Sequence, residues 1–348
     1  MITTEYSRRL GSISTHQFQM ALDHFDLGQF ISAKAIPFGL FGQNVFVTSS
    51  AGEFVLRGAA HYDWQFPKEQ FVATLLHERT NVPAPCPYLL DRDETIFGWK
   101  HGYVFMPRMP GLQLANAEVL KTISLQDRTA IAHLLGENLR EIQQVQWPFS
   151  GQYEYKTRMI EPFSQGFEGW LIGEIRQQLQ QSLSYNNGAT PADEAWVEQV
   201  IRDAESALKV PYTPVLVLHD YREANLTVLK QDGRWKISGV FDLMEGIMGD
   251  GELDLIRQLA VYMMEVKKPV WAKSFLDGYR KRSSLRPQAS QRLALYLIYD
   301  RMVVWEYFHR PDNLSQWWDG AQSVEDWISP YISKLETLLS TPPFDPAL

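Results

Sequence analysis

Val215-Leu-Val-Leu-His-Asp220-Tyr-Arg-Glu-Ala-Asn225-Leu-Thr-Val-Leu-Lys230, then Gln231-Asp-Gly-Arg234, then Trp235-Lys-Ile-Ser-Gly-Val-Phe-Asp242, is the stretch around which the chain is arranged. Residues 215–218 are a short apolar run and read as a buried strand. Residues 226–230 and 235–241 are β-rich, and the Asp232-Gly233 pair between them is a strong hairpin signal. A hairpin folds back on itself, so Asn225 at its start and Asp242 at its end are expected side by side. Asp220 lies on the loop just before it. Asp and Asn are common turn residues, so the spacing of Asp220 and Asn225 means little by itself. The hairpin and the third oxygen donor give it meaning.

A carboxylate five residues before an Asn, with a second Asp after a β-hairpin, resembles the protein-kinase arrangement. The resemblance is closer to the aminoglycoside phosphotransferase family, whose pattern reads roughly His-Gly-Asp-Leu-His-x-x-Asn, then Ile-Asp-Trp-Glu-x-x-x-x-Gly-Asp-x-x-x-Asp-Leu-Ala. Here Leu218-His-Asp220-Tyr-Arg-Glu-Ala-Asn225 keeps the Asp and the Asn, and Phe241-Asp242 keeps the metal Asp. Gly249-Asp250 and Asp254-Leu255 stand at the family offsets. Two positions depart. Leu218 stands where the family has His, with His219 displaced by one, and Met244 stands where a Glu is usual, with Glu245 next to it. The resemblance implies that Asp220 accepts the proton of the attacking hydroxyl and that Asn225 and Asp242 hold Mg²⁺ against nucleotide phosphates. Hard oxygen donors suit Mg²⁺, which takes its other ligands from water and phosphate.

Upstream, residues 30–57 read as β structure. Gly39 and Gly42 precede a strand pattern, and glycine lets backbone N–H groups approach phosphate. Gly39, Gly42 and Asn44 resemble the family's Gly-rich loop followed by Asn. Arg57 falls on the returning strand where kinases place the phosphate-binding Lys. An Arg there keeps its charge and can bind phosphate bidentately. Residues 66–79 read as a helix with Pro67 in its first turn. Its Glu69 resembles the helix Glu that pairs with the phosphate-binding base, with Glu78 as the fallback. A rigid Pro-rich connector at 81–88 leads to two expected strands, 94–99 and 101–111. The end of the second resembles a kinase hinge, where adenine would hydrogen-bond backbone groups near Met106 and Met109.

Composition bounds the function. A formal charge of −8 over 348 residues argues against general affinity for nucleic acid or anionic membrane. It is compatible with a cationic substrate. A single cysteine, Cys86, excludes an internal disulfide framework and a Cys-based zinc site. The chain shows no signal-peptide pattern and no long apolar run, so a cytoplasmic protein is expected. The count of 11 Trp, 15 Tyr and 18 Phe suggests aromatic-lined cores or grooves.

After Gly111 the periodicity is mainly helical: 124–145, 167–185, 192–208, 253–265, 270–282, 288–309 and 317–339, with a loop at 147–155. The C-terminal helices are where the family builds its acceptor pocket. Glu265, Asp300, Glu306 and the Trp/Tyr cluster are candidates to line it, though each is as readily packing or solvated surface.

The fold expected is α+β, the two-lobed protein-kinase-like fold with a β-rich N-lobe and a mainly helical C-lobe. The boundaries read from the sequence are 1–107 for a nucleotide-binding lobe and 108–348 for a lobe with catalytic loop and acceptor pocket. The function expected is a phosphotransferase using ATP or GTP with Mg²⁺ on a hydroxyl of a small molecule, such as an aminoglycoside-like antibiotic. The alternatives are a metabolite kinase of the choline, homoserine or methylthioribose type, a protein kinase, or a non-catalytic nucleotide-binding relative. The short segment from Asp242 to Asp254, with no room for a long phosphorylated loop, disfavours a protein substrate.

Overall fold

The computed structural model describes residues 3–36, 42–185, 188–265, 269–310 and 323–341. The chain forms two compact units. One comprises Met1–Ser124, Tyr153–Ile160 and Glu223–Gly246, and the other comprises Leu125–Gln152, Glu161–Arg222 and Ile247–Leu348. The class is α+β, with the β structure concentrated toward the N-terminus and the helices toward the C-terminus.

The first unit is built on a five-stranded antiparallel sheet in the order Phe30–Ala35, Asn44–Ser49, Gly52–Gly58, Tyr103–Pro107, Leu89–Asp91. Asn44–Ser49 alternates buried and half-buried residues, the period of a strand with one covered face. Val45, Val47, Leu56 and Phe105 form that face and pack with Phe18 and Leu22 of the helix Thr15–His24. This helix begins at a capping box: the Ser14 hydroxyl accepts from the Gln17 N–H, and the Gln17 side chain accepts from the Ser14 N–H.

One expected strand is absent. Residues 94–99 form a turn, and the sheet takes Leu89–Asp91 instead. The Asp91 carboxylate accepts from the Asp93 N–H and the Asp93 carboxylate from the Thr95 N–H, both at 2.8 Å. These side chains satisfy backbone donors that a strand would have offered to the sheet. Trp99 then stacks on Phe97 at 4.2 Å and packs into the core.

The hairpin after the catalytic stretch spans Leu226–Gln231 and Arg234–Val240. Asp232 (φ 52°) and Gly233 (φ 76°) both occupy the left-handed region, as a two-residue hairpin turn requires. Thr227 and Val228 pair with Gln113 and Leu112, and the Val240 N–H donates to the Pro83 carbonyl at 3.0 Å. Those contacts bind the hairpin and residues 108–124 into the first unit, beyond the sequence boundary at 107.

In the second unit the helices Leu125–Ile142, Gly166–Leu183, Pro191–Leu208, Pro269–Arg280, Ala289–His309 and Val324–Ser340 surround a short sheet. Trp317 and Trp318 lie outside the described residues, as do Lys267 and Lys268. The segment expected as a loop at 147–155 contains the strand Gly151–Glu154, because Gly151 and Gln152 pair with Met248 and Ile247. Val215–Val217 pairs with the other edge of Ile247–Gly249, which fixes the start of the catalytic stretch. No helix among the described residues is long and apolar enough to cross a membrane.

Leu125–Ile142 and Pro269–Arg280 approach each other through glycines. A Cβ on Gly136 would stand 2.0 Å from the Phe275 carbonyl oxygen, and one on Gly278 would stand 2.0 Å from that of His133. Gly173, exposed on Gly166–Leu183, has nothing within 4 Å of the same position. Gly136→Ala should therefore lower stability by about 1–3 kcal/mol through overpacking. Gly173→Ala should raise it by roughly 0.5–1 kcal/mol through helix propensity. Urea unfolding of the two variants checks the opposite signs.

Candidate active site

The first unit gathers Arg57, Glu69, Asn225 and Asp242. Arg57, on Gly52–Gly58, is 7% exposed, and its Nη1 donates to Glu69 Oε2 at 2.9 Å. Its Nη2 lies 3.6 Å from Asp242 Oδ1. Glu69, on the helix Gln65–Arg79, also accepts from the Tyr88 hydroxyl at 2.6 Å and from Gln65 Nε2 at 3.5 Å. Gln43 Oε1 stands 3.4 Å from Arg57 Nη2. A buried ion pair is tolerable only when its remaining donors and acceptors are met, and this network meets those of Glu69. Burial works against the Arg57 charge, but Glu69 and then Asp242 outweigh it and raise its pKa. Glu78 is exposed, so Glu69 is the partner.

The hairpin register places the metal-ligand candidates. Leu226 pairs with Val240, and the Phe241 N–H donates to the Asn225 carbonyl at 2.9 Å. Asn225 and Asp242 are thus held at the two ends of one hairpin, as its turn chemistry requires. Asp242 has φ 60°, a conformation that Asp tolerates better than most residues. The donor set of one carboxylate and one amide oxygen suits a hard cation that completes its shell with water and phosphate. Among the described residues, no three His, Cys, Asp or Glu side chains group as an all-protein metal cage. Of the remaining candidates, Gly42 (φ 57°) precedes Asn44, which pairs with Arg57 across the strands. Gly39 lies outside the described residues. Met106 is buried in Tyr103–Pro107, and Met109 packs against Gly239.

The second unit holds Asp220. Asp254 is fully buried and accepts from the backbone N–H groups of Leu218 and His219, each at 2.6 Å. His219 has φ 63°, a strained conformation for a non-glycine residue. On the other side, the buried Tyr221 donates its hydroxyl to the Leu135 carbonyl at 2.8 Å and accepts from Asn138 Nδ2 at 3.0 Å. Asp220 is therefore clamped from both neighbours. Its Oδ1 lies 3.1 Å from Arg222 Nε and 3.2 Å from Arg257 Nε, and Arg257 Nε lies 2.9 Å from Asp300 Oδ1. Asp250 is structural: it caps the turn Gly251–Asp254 and bonds Arg286 and Tyr296. Glu306 pairs with Arg310 and accepts from Tyr185. The side chain of Glu265 lies outside the described ones.

Several of these residues escaped the sequence reading. Asp254 was visible as part of Asp254-Leu255, but its hold on the loop was not. Tyr88, Gln43 and Gln65 carry no local signal. Arg257 and Arg222 sit at ordinary helix and loop positions.

A β-rich unit holding a buried Arg–Glu pair and a helical unit holding a clamped loop Asp are the parts of a protein-kinase-like fold. Residues 32–295 match the model of the phosphotransferase enzyme family. The chain belongs to that family. It is 27% identical over 192 residues to the homoserine kinase of Burkholderia pseudomallei (strain 1710b), covering 52% of this chain and 55% of that one. It thus spans about half the length of the curated relatives it matches. Its fold is similar to that of APH(2″)-IIIa, an aminoglycoside phosphotransferase solved as its GDP and kanamycin complex, with a TM-score of 0.60 and 12% identity over 94% of this chain and 99% of that one. It is also similar to choline kinase LicA from Streptococcus pneumoniae, with a TM-score of 0.53 and 13% identity over 94% and 100%.

Burial raises the Asp254 carboxyl to about 7, opposed by its two backbone N–H bonds, and the Asp220 charge adds to the rise. A folded pKa above the ordinary value means that folding favours the protonated form. The stability Asp254 contributes is full below about pH 4 and is lost as pH rises through the folded value. Relative to Asp254→Asn, the wild-type protein should lose stability from about pH 4 up to pH 7 and level off above. Urea midpoints taken across that range check it, and a constant difference contradicts it.

Proposed function

We propose that this chain transfers the γ-phosphoryl group of ATP or GTP to a hydroxyl of a small molecule. The observation that carries the reading is Arg57, a buried cation fixed by Glu69 and also paired with Asp242. A fixed guanidinium beside the metal-binding carboxylate is what a nucleotide polyphosphate needs. Phosphoryl transfer demands little covalent chemistry from protein and much positioning and charge neutralisation.

In this reading the acceptor oxygen attacks the γ-phosphorus while the bond to the β–γ bridging oxygen breaks and the nucleoside diphosphate departs. Asp220 orients the hydroxyl and takes its proton. Arg57, positioned by Glu69, binds phosphate oxygens together with the backbone around Gly42 and Asn44. Asn225 and Asp242 would hold Mg²⁺, which when bound offsets phosphate charge. Backbone groups near Met106 and Met109 would meet the base. The glycine-loop role of Gly39 is part of the same proposal.

A small-molecule acceptor is favoured over a protein because Leu243–Gly246 makes a tight turn, the Gly246 N–H donating to the Leu243 carbonyl at 3.2 Å. No extended segment follows Asp242 before the strand Ile247–Gly249. Kanamycin, choline and homoserine are the acceptors suggested by the related proteins, and all three belong in a first screen.

Asp220→Ala should lower acceptor-dependent turnover by at least ~10²-fold, the range for a positioned base, while nucleotide still binds. Near-normal turnover would contradict the role. Asp242→Ala should abolish the Mg²⁺ dependence of nucleotide binding in a calorimetric titration, and an unchanged dependence would remove Asp242 from the metal site.

A further inference from the structure

The side chains around Asp220 carry a charge pattern that the proposed transfer does not by itself require. Asp220, at 20% side-chain exposure, lies between Arg222 at 31% and Arg257 at 18%. Asp300 and Arg301 behind them are 6% and 2% exposed and pair with each other at 2.6 Å. Burial alone would raise the Asp300 carboxyl, but Arg257 and Arg301 outweigh it and hold it below the usual range. Asp300 is thus shared between Arg257 and Arg301. A solute reaching this face meets two guanidinium groups and one carboxylate. Once Asp220 has taken a proton, Arg222 loses that counter-charge and Arg257 keeps only the buried Asp300.

Beside them stand three half-buried rings. Trp170 stacks on His219 with centroids 5.5 Å apart and planes 5° from parallel, and Tyr299 meets both rings at 5.7 and 5.6 Å. His219 and Tyr299 are the sequence neighbours of Asp220 and Asp300, so the aromatic cluster adjoins the cationic edge. Guanidinium groups match the planar, two-oxygen geometry of a carboxylate. A polyammonium molecule would be repelled at the same edge.

Resting on the phosphotransferase reading, we infer that Arg257, with Arg222 opposite, selects an acceptor bearing an oxyanion near its hydroxyl. The acceptor class is a hydroxylated carboxylate, and Arg257 is a specificity-determining residue. A phosphate monoester shares that chemistry and is distinguished in the test. The acceptor hydroxyl would face Asp220, its anion Arg257, and its apolar body the rings.

The test uses the full chain with Mg·ATP and matched acceptor pairs: L-homoserine against its amide, glycerate against glycerol, glycerol 3-phosphate as the phosphate arm, and choline and kanamycin as cationic controls. ADP formation is followed for wild type, Arg257→Gln and Arg257→Lys. The inference predicts that an acid is preferred over its neutral partner by about tenfold or more in kcat/KM, the scale of one charge-assisted hydrogen bond. Arg257→Gln should lower kcat/KM for the acid by about tenfold more than for its neutral partner, with the difference in KM, and Arg257→Lys should restore part of the ratio. A preference confined to glycerol 3-phosphate makes the anion a phosphate and overturns the carboxylate assignment. Turnover of choline or kanamycin in preference to every acid, or a loss in Arg257→Gln that is equal for acid and neutral partners, overturns the inference and leaves the transfer reading standing. No acceptor-dependent ADP with any compound overturns both.

Discussion

Asp254 holds the amides of Leu218 and His219, and the geometry of the helical unit's functional face depends on that grip. Two backbone donors on one fully buried carboxylate leave the loop one conformation. His219 is forced into the left-handed region, its ring is laid against Trp170 and Tyr299, and Asp220 is turned toward Arg222 and Arg257. Tyr221 anchors the far side in the helix Leu125–Ile142. Strain at His219 is sustained only because the groups around it over-determine its place.

The β-rich unit solves a different problem with similar means. A buried guanidinium is unfavourable alone, so Arg57 is surrounded by Glu69, Asp242 and Gln43, and Glu69 in turn by Tyr88 and Gln65. The charges remain, but they are fixed, and a fixed charge stabilises developing phosphate charge without reorganising. The hairpin contributes register: Asp232 and Gly233 set the turn, and the turn sets Asn225 and Asp242 at its open end.

What the sequence made legible follows from how local each signal is. The hairpin and the long amphipathic helices rest on turn chemistry and periodicity within a few residues. The Arg57–Glu69 pair was reached through element order and family resemblance, and both residues carry the polarity their places demand. The strand expected at 94–99 was β-rich but lost to the side-chain caps of Asp91 and Asp93. The strand at Gly151 was polar, and it is held between Met159–Pro162 and Ile247–Gly249, the latter nearly a hundred residues on. Arg257 and Asp300 could not be read as neighbours of Asp220, since nothing in their spacing records that helices bring them together. The departure at Leu218 has a plain consequence: its side chain is buried and its backbone N–H is the one Asp254 takes. Met244, in place of the usual Glu, has no structural explanation.

The most direct measurement is phosphorus NMR of the full chain with Mg·ATP and a pool of hydroxylated small molecules, acids, amines and neutral sugars together. The account predicts that the γ-phosphate resonance declines as a phosphomonoester resonance grows in equal amount with ADP. Release of inorganic phosphate alone, or unchanged ATP while nucleotide binds, would contradict it.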